Sequence, residues 1–190
     1  MRRVAIIDDN RSERLVLRLL MEEKGFEVVA EGGDGTEVVR LCQESSPDVV
    51  IMDIGLPHKD GIEATIDIVS KSPTAVVLIT GRDDEETLRR VAGSGAMAYL
   101  VKPIVESALL AAIELAVTRY SEFVELKKEN AELKSAIEAR KIVEKAKGIL
   151  MQRSDISEGE AYARLRTISM DRRLSMKDVA EIVIDSASVI

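Results

Sequence analysis

Short apolar runs alternate with stretches of helical periodicity through the first 120 residues. Arg3 to Ile7 has the length and content of a strand, and Leu15, Val16, Leu19 and Leu20 follow at helical spacing before Gly25. Phe26 to Ala30 predicts a second strand. A turn at Gly32-Gly33-Asp34-Gly35 leads into a helix from Thr36 to about Glu44 that carries Val38, Val39 and Leu41. Val49 to Asp53 predicts the third strand, and its four consecutive apolar residues after Pro47 are the pattern of a strand covered on both faces. A helix over Gly61 to Val69 with Ile62, Ile66 and Val69 inward comes next, then a strand at Ala75 to Ile79 and a helix at Glu85 to Ala92. Met97 to Val101 predicts strand five, and a further helix begins near Glu106. This alternation predicts an α/β domain over residues 1–120, a five-stranded parallel sheet doubly wound by helices through right-handed crossovers.

Residues with chemistry fall where those strands end. Asp8 and Asp9 follow strand one, Asp53 closes strand three, Thr80 follows strand four, and Lys102-Pro103 follows strand five. Parallel strands bring their carboxyl ends to one rim, so these side chains are expected to converge there. Carboxylates at about 4 Å repel by roughly 1 kcal/mol per pair in water, and by more in a drier site. A hard divalent cation such as Mg2+ suits such an all-oxygen site, and Lys102 adds a second compact charge. A nucleophilic Asp, a cation, a Lys and a hydroxyl are also the equipment for phosphoryl transfer to a carboxylate. Other candidates read more plainly. His58 is expected as a solvated loop residue, and Gly32 to Gly35 lacks the G-x-G-x-x-G spacing and the Lys of a phosphate cradle.

From Glu106 to Gly148 there is neither Pro nor Gly, which predicts one long helix. Within it Phe123, Leu126, Asn130, Leu133 and Ile137 recur at spacings of three and four, the a and d positions of a coiled coil. In a parallel pair Glu122 would face Lys127 and Glu129 would face Lys134, and Asn130 at an a position would fix two strands and their register. Residues 121–139 are therefore expected to be a dimerising connector. Residues 140–190 carry three helical patterns: Ile142, Ala146, Ile149 and Leu150; Ala161, Tyr162, Leu165 and Ile168; and Val179, Ile182 and Val183 inward. The second opens on Ser157 with Glu160 three residues later, a capping box, and the third opens on Ser175 with Asp178. A small three-helix domain is expected.

Composition and charge refine the picture. The formal net charge is −7, but residues 138–190 hold ten Lys and Arg against nine Asp and Glu, so the acidity lies in the first part. Residues 140–153 carry Arg140, Lys141, Lys145, Lys147 and Arg153 against Glu144, and a second basic block runs from Arg164 to Lys177. Two basic stretches on adjacent helices make a candidate anion-binding face. The single cysteine, Cys42, permits no internal disulfide. The longest apolar run, near Leu109 to Val117, is broken by Glu114 and is too short for a bilayer, and the start is too short for a signal peptide. No membrane association and a cytoplasmic location are expected.

Residues 1–120 resemble the receiver domain of two-component response regulators, a flavodoxin-like fold. The resemblance rests on Asp8-Asp9, the segment Val-Ile-Met-Asp53-Ile-Gly-Leu-Pro, Asp60-Gly61, Leu-Ile-Thr80-Gly81 and Tyr99-Leu-Val-Lys102-Pro103. It implies that Asp53 is the phosphoacceptor, that Asp8, Asp9 and Asp53 hold Mg2+ with the carbonyl of Gly55, and that Lys102 and Thr80 bind the phosphoryl group. It also implies that Tyr99 is a switch following Thr80, that the Lys102-Pro103 bond is cis, and that a sensor histidine kinase is the partner.

Residues 140–190 resemble the ANTAR module of transcription antitermination regulators through Glu144-Lys145-Ala146-Lys147-Gly148-Ile149-Leu150-Met151, Ser157 to Arg166 and Lys177-Asp178-Val179-Ala180-Glu181. That resemblance implies binding of paired hairpins in leader RNA, with Lys145, Lys147, Arg153, Arg166 and Arg173 as candidate contacts, by a homodimer when active. Two output classes stand beside it. A DNA-binding regulator would need a recognition helix and a tight Gly turn, and a pure interaction or dimerisation module is compatible with the near-neutral charge. An enzymatic output is not expected, because no nucleophile with a base and no metal-ligand cluster follows residue 120.

Overall fold

A computed structural model describes residues 1–81 and 84–188. Five parallel strands, β1 (Arg3–Ile7), β2 (Glu27–Gly32), β3 (Val49–Asp53), β4 (Ala75–Thr80) and β5 (Ala98–Val101), form one sheet in the order β2-β1-β3-β4-β5. Between them run α1 (Arg11–Glu23), α2 (Val38–Ser45), α3 (Gly61–Lys71) and α4 (Glu85–Ser94). The central strands β3 and β4 are buried at every residue, as uninterrupted apolar runs require. Side chains alternate across the sheet with period two. Val4, Ile6, Ile51, Val77 and Ile79 face one layer with Leu17 and Met21, and with Leu109, Ile113 and Ala116 of the helix that follows β5. Ala5, Ile7, Val50, Met52 and Leu78 face the other, with Val38, Cys42, Ile62, Ile68 and Val91.

Three helix faces differ from the sequence expectation. Leu17 and Met21 turn inward on α1, while Leu15, Val16 and Leu19 are exposed. That helix has apolar residues nearly all round, so periodicity offers two stripes and packing on the sheet selects one. On α3, Ile68 is buried and Ile66 is exposed. In the last helix Val179 and Ala180 are buried with Val183 beside them, whereas Ile182 is exposed.

Two glycines seat the loops around the end of β3. A Cβ on Gly61 would lie 2.2 Å from the carbonyl oxygen of Asp53, and one on Gly35 would lie 2.0 Å from that of Lys59. Both approaches admit only hydrogen.

The chain divides into two compact units, Met1–Val124 and Glu125–Ile190. One unbroken helix, α5 (Glu106–Ser154), contributes to both, and α6 (Glu158–Arg172) and α7 (Met176–Ser188) complete the second. The absence of Pro and Gly through most of α5 is what lets it run for 49 residues. Ser157 and Glu160 form the expected capping box on α6, and Ser175 and Asp178 exchange backbone and side-chain hydrogen bonds at the start of α7. The core of this unit is Ala146, Leu165, Val179 and Ala180 with partly buried neighbours. Among the described residues, no helix is long and apolar enough to cross a membrane.

Candidate functional site

Because all five strands run the same way, the residues that close them meet at one rim. The Lys102 ammonium stands 2.7 Å from Asp53 Oδ1, 2.5 Å from Glu13 Oε2 and 3.6 Å from Asp8 Oδ2. The Lys102-Pro103 peptide is cis. Asp53 Oδ2 accepts the backbone N–H of Gly55 at 2.5 Å. Asp8 Oδ1 accepts the N–H of Asn10 at 2.8 Å, but Asp8 Oδ2 is buried and accepts no hydrogen bond. Thr80 is buried at the end of β4, Asp9 is exposed, and Tyr99 on β5 is 43% exposed.

The charges in this cluster are unequal in their surroundings. Burial holds the Asp8 carboxyl above its ordinary range, only partly countered by the Asn10 N–H and the Lys102 charge. Burial also works against the charge on Lys102. Hydrogen bonds to Asp53 and Glu13, with the charges of Asp53 and Asp8, more than offset it and hold the ammonium above its usual value. Lys102 is therefore a firm cation among carboxylates.

A cation fits what remains. The buried, unpartnered oxygen of Asp8 is a polar atom that a protein interior does not leave bare without reason. The donors nearby are carboxylate and carbonyl oxygens, the set a hard divalent ion takes. Among the described residues no group of three or more His, Cys, Asp or Glu is already assembled around a metal position. The ammonium of Lys102 holds Asp53 instead.

Beside Asp53 lies a cleft of about 400 Å³ whose lining includes Gly55, Asp60, Thr80, Thr87 and Arg90. Asp60 caps α3 by accepting the Glu63 N–H at 2.8 Å, and Arg90 on α4 pairs with the same carboxylate. Sequence reasoning named neither Arg90 nor Glu13. Both reach the site through contacts 30 and 89 residues apart in the chain, which no local spacing reveals.

In the second unit the candidate RNA contacts part company. Lys147, expected on a basic face, is 6% exposed. Its ammonium is shared between Glu144 at 2.8 Å and Glu158 at 2.7 Å, which holds its pKa above the ordinary lysine value. The side chain is thus committed inside its own domain, and Glu144 three residues before it was the available signal. Arg153 donates to the carbonyl of Ala187 at 2.9 Å and shares a cleft with Lys145. Lys145, Arg166 and Arg173 are exposed, as is Tyr162 on α6. Along α5, Phe123, Leu126, Asn130, Leu133 and Ile137 are all exposed.

Comparison with known proteins matches both halves. The response regulator receiver domain matches residues 4–114 and the ANTAR domain matches residues 131–184. The transcriptional regulatory protein PdtaR of Mycobacterium tuberculosis is 43% identical over 185 residues, covering 97% of this chain and 90% of PdtaR. Among solved structures, the response regulator domain of Thermotoga maritima CheB superposes with a TM-score of 0.58 at 30% identity, covering 62% of this chain and 97% of that one. The CheY-containing complex of Borrelia burgdorferi with CheX, BeF3 and Mg2+ gives a TM-score of 0.56 at 25% identity, covering 59% of this chain and 86% of its own.

Proposed function

The chain belongs to the response regulators that join a receiver domain to an ANTAR domain, and on that premise we propose that it is a phosphorylation-responsive transcription antiterminator. It is a regulatory protein, not an enzyme. A receiver domain implies a sensor kinase partner, and an ANTAR domain implies RNA binding. The finer reading is a sensor histidine kinase upstream, hairpin-containing leader RNA downstream, and a homodimer as the active form. Both partners place its work in the cytoplasm.

One observation carries the first half of this reading: the Lys102 ammonium stands 2.7 Å from Asp53, which lines a cleft of about 400 Å³. Asp53 Oδ1 is the acceptor; on transfer it bonds to phosphorus as the bond from phosphorus to the donor breaks. Lys102 and the Thr80 hydroxyl then hold the phosphoryl oxygens, and Tyr99 on neighbouring β5 follows Thr80. Receiver domains typically bind Mg2+. Here Asp8, Asp9, Asp53 and the Gly55 carbonyl would hold it, and it would neutralise phosphoryl charge.

Replacing the single charge of the Asp53 carboxylate by a phosphoryl group carrying about −2 changes what the β4 and β5 end of the domain prefers, and α5 is the element that follows β5. The favoured state pairs two copies along Phe123, Leu126, Asn130, Leu133 and Ile137. Two linked C-terminal units then engage two linked hairpins, gaining avidity through effective concentration. Lys145, Arg153, Arg166 and Arg173 are the proposed contacts, with Lys147 serving its own fold.

The test uses the full chain with Mg2+ and acetyl phosphate. Wild type gains one phosphoryl group by intact mass and Asp53→Asn gains none. Phosphorylated protein then binds a double-hairpin leader RNA more tightly than duplex DNA. That affinity falls with rising salt and with Lys145→Ala and Arg166→Ala. An unmodified wild type, or no RNA binding in either state, overturns the proposal.

A further inference from the structure

We propose that Glu13 is a positioning residue that competes with a phosphoryl group for Lys102 and so weakens the hold of the acceptor site on that group. The inference rests on the reading of Asp53 as phosphoacceptor. Glu13 lies in the first turn of α1, and its placement is built rather than incidental. Asn10 caps that helix by accepting the N–H groups of Ser12 and Glu13, and its own amide donates to Glu13 Oε1 at 3.0 Å. With one oxygen so held, the other, Oε2, meets the Lys102 ammonium at 2.5 Å.

An ammonium has three protons. Two are taken, by Asp53 Oδ1 and Glu13 Oε2, and the nearest remaining carboxylate oxygen, Asp8 Oδ2, stands off at 3.6 Å. When a phosphoryl group joins Asp53 it must draw on this same cation. Glu13 keeps its share and brings a full negative charge beside a dianion. Asp8, Asp9 and Asp53 are the proposed ligands of the cation, so their charges would be offset when one binds. Glu13 contacts Lys102 instead, and its charge acts on the phosphoryl group. The unphosphorylated state gains the Glu13–Lys102 pair, and the phosphorylated state works against it.

The experiment is an equilibrium one. The full chain is titrated with beryllofluoride in excess Mg2+, and occupancy is read by fluorine NMR in wild type and Glu13→Gln. Glutamine keeps the length and an oxygen for Asn10 but removes the charge. The expected result is at least about fivefold tighter beryllofluoride binding by Glu13→Gln, the size of one unit charge acting over about 4 Å in water. At subsaturating acetyl phosphate, the phosphorylated fraction rises in the same direction. Damage to the α1 cap alone would lower the melting temperature without tightening the site. Affinities within twofold of each other, or weaker binding by Glu13→Gln, overturn the role of Glu13 while leaving Asp53 as acceptor. A wild type that takes neither beryllofluoride nor phosphoryl overturns both.

Discussion

Among the described residues, the receiver buries fourteen residues in the core cluster on one face of its sheet and thirteen on the other, while the cluster of the C-terminal unit has four. The central strands β1, β3 and β4 are pinned by neighbours on both sides and covered on both faces, so the ends of those strands, and Asp8, Asp53 and Thr80 on them, are held by the framework itself. The C-terminal unit is a thin helical assembly with a core of Ala146, Leu165, Val179 and Ala180. Its helices are fixed by caps and by pairs such as Lys147 with Glu144 and Glu158. A precise catalytic-type constellation needs the first kind of support, whereas a surface that meets a large flexible ligand tolerates the second.

The contrast can be broken most sharply at Leu165. Its truncation to alanine removes the largest side chain of a four-residue core and costs about 3 kcal/mol. The C-terminal unit of Leu165→Ala is expected to melt well before the receiver in a circular dichroism scan, with acetyl phosphate labelling of Asp53 intact. A single melt shifted as a whole would mean that the two units share their stability.

Alkaline pH probes the other side. Burial pushes the Cys42 thiol from 9.0 up to about 11. The unfolded chain therefore loses this proton near 9 while the folded receiver keeps it, so the unfolded state binds fewer protons across that window and stability falls as pH rises through it. The loss approaches about 2–3 kcal/mol by pH 11. Urea titrations of wild type and Cys42→Ala at several pH values isolate this slope, and its equality in the two proteins would refute it.

The smallest effect is expected on α5. Asn130→Leu should tighten self-association about tenfold while loosening its two-strandedness, because a buried amide at an a position specifies the pair at a cost in stability. Sedimentation that is unchanged by the substitution counts against pairing through this stripe.

The same contrast governs what the chain let a reader see. β1, β3 and β4 were legible because a strand buried on both faces must be an apolar run, and β3 ends on Asp53 as its pattern predicts, while the half-exposed edge strands β2 and β5 were legible from the regular alternation of strand and helix. Asp8, Thr80 and Lys102 were legible through topology, since parallel strands place their ends together. Glu13 was not, because its contact with Lys102 spans 89 residues and α1 offers no marker that its third residue faces the rim. On α1 and α3 more than one stripe is apolar, so periodicity alone does not single out the buried face. In the C-terminal unit, helix caps at Ser157 and Ser175 were plain from spacing. Glu144, three residues before Lys147, marks that lysine for pairing, but no local spacing reveals Glu158, eleven residues on, which completes it.

Arg173 ends α6 in the left-handed region, at φ 54°, a conformation that glycine enters freely and other residues adopt at roughly 1 kcal/mol. A laboratory lineage bred for heat tolerance alone would gain by mutating this codon to glycine, and would discard a guanidinium in the same stroke. Hardening the protein and keeping its positive charge are therefore opposed demands at this one position.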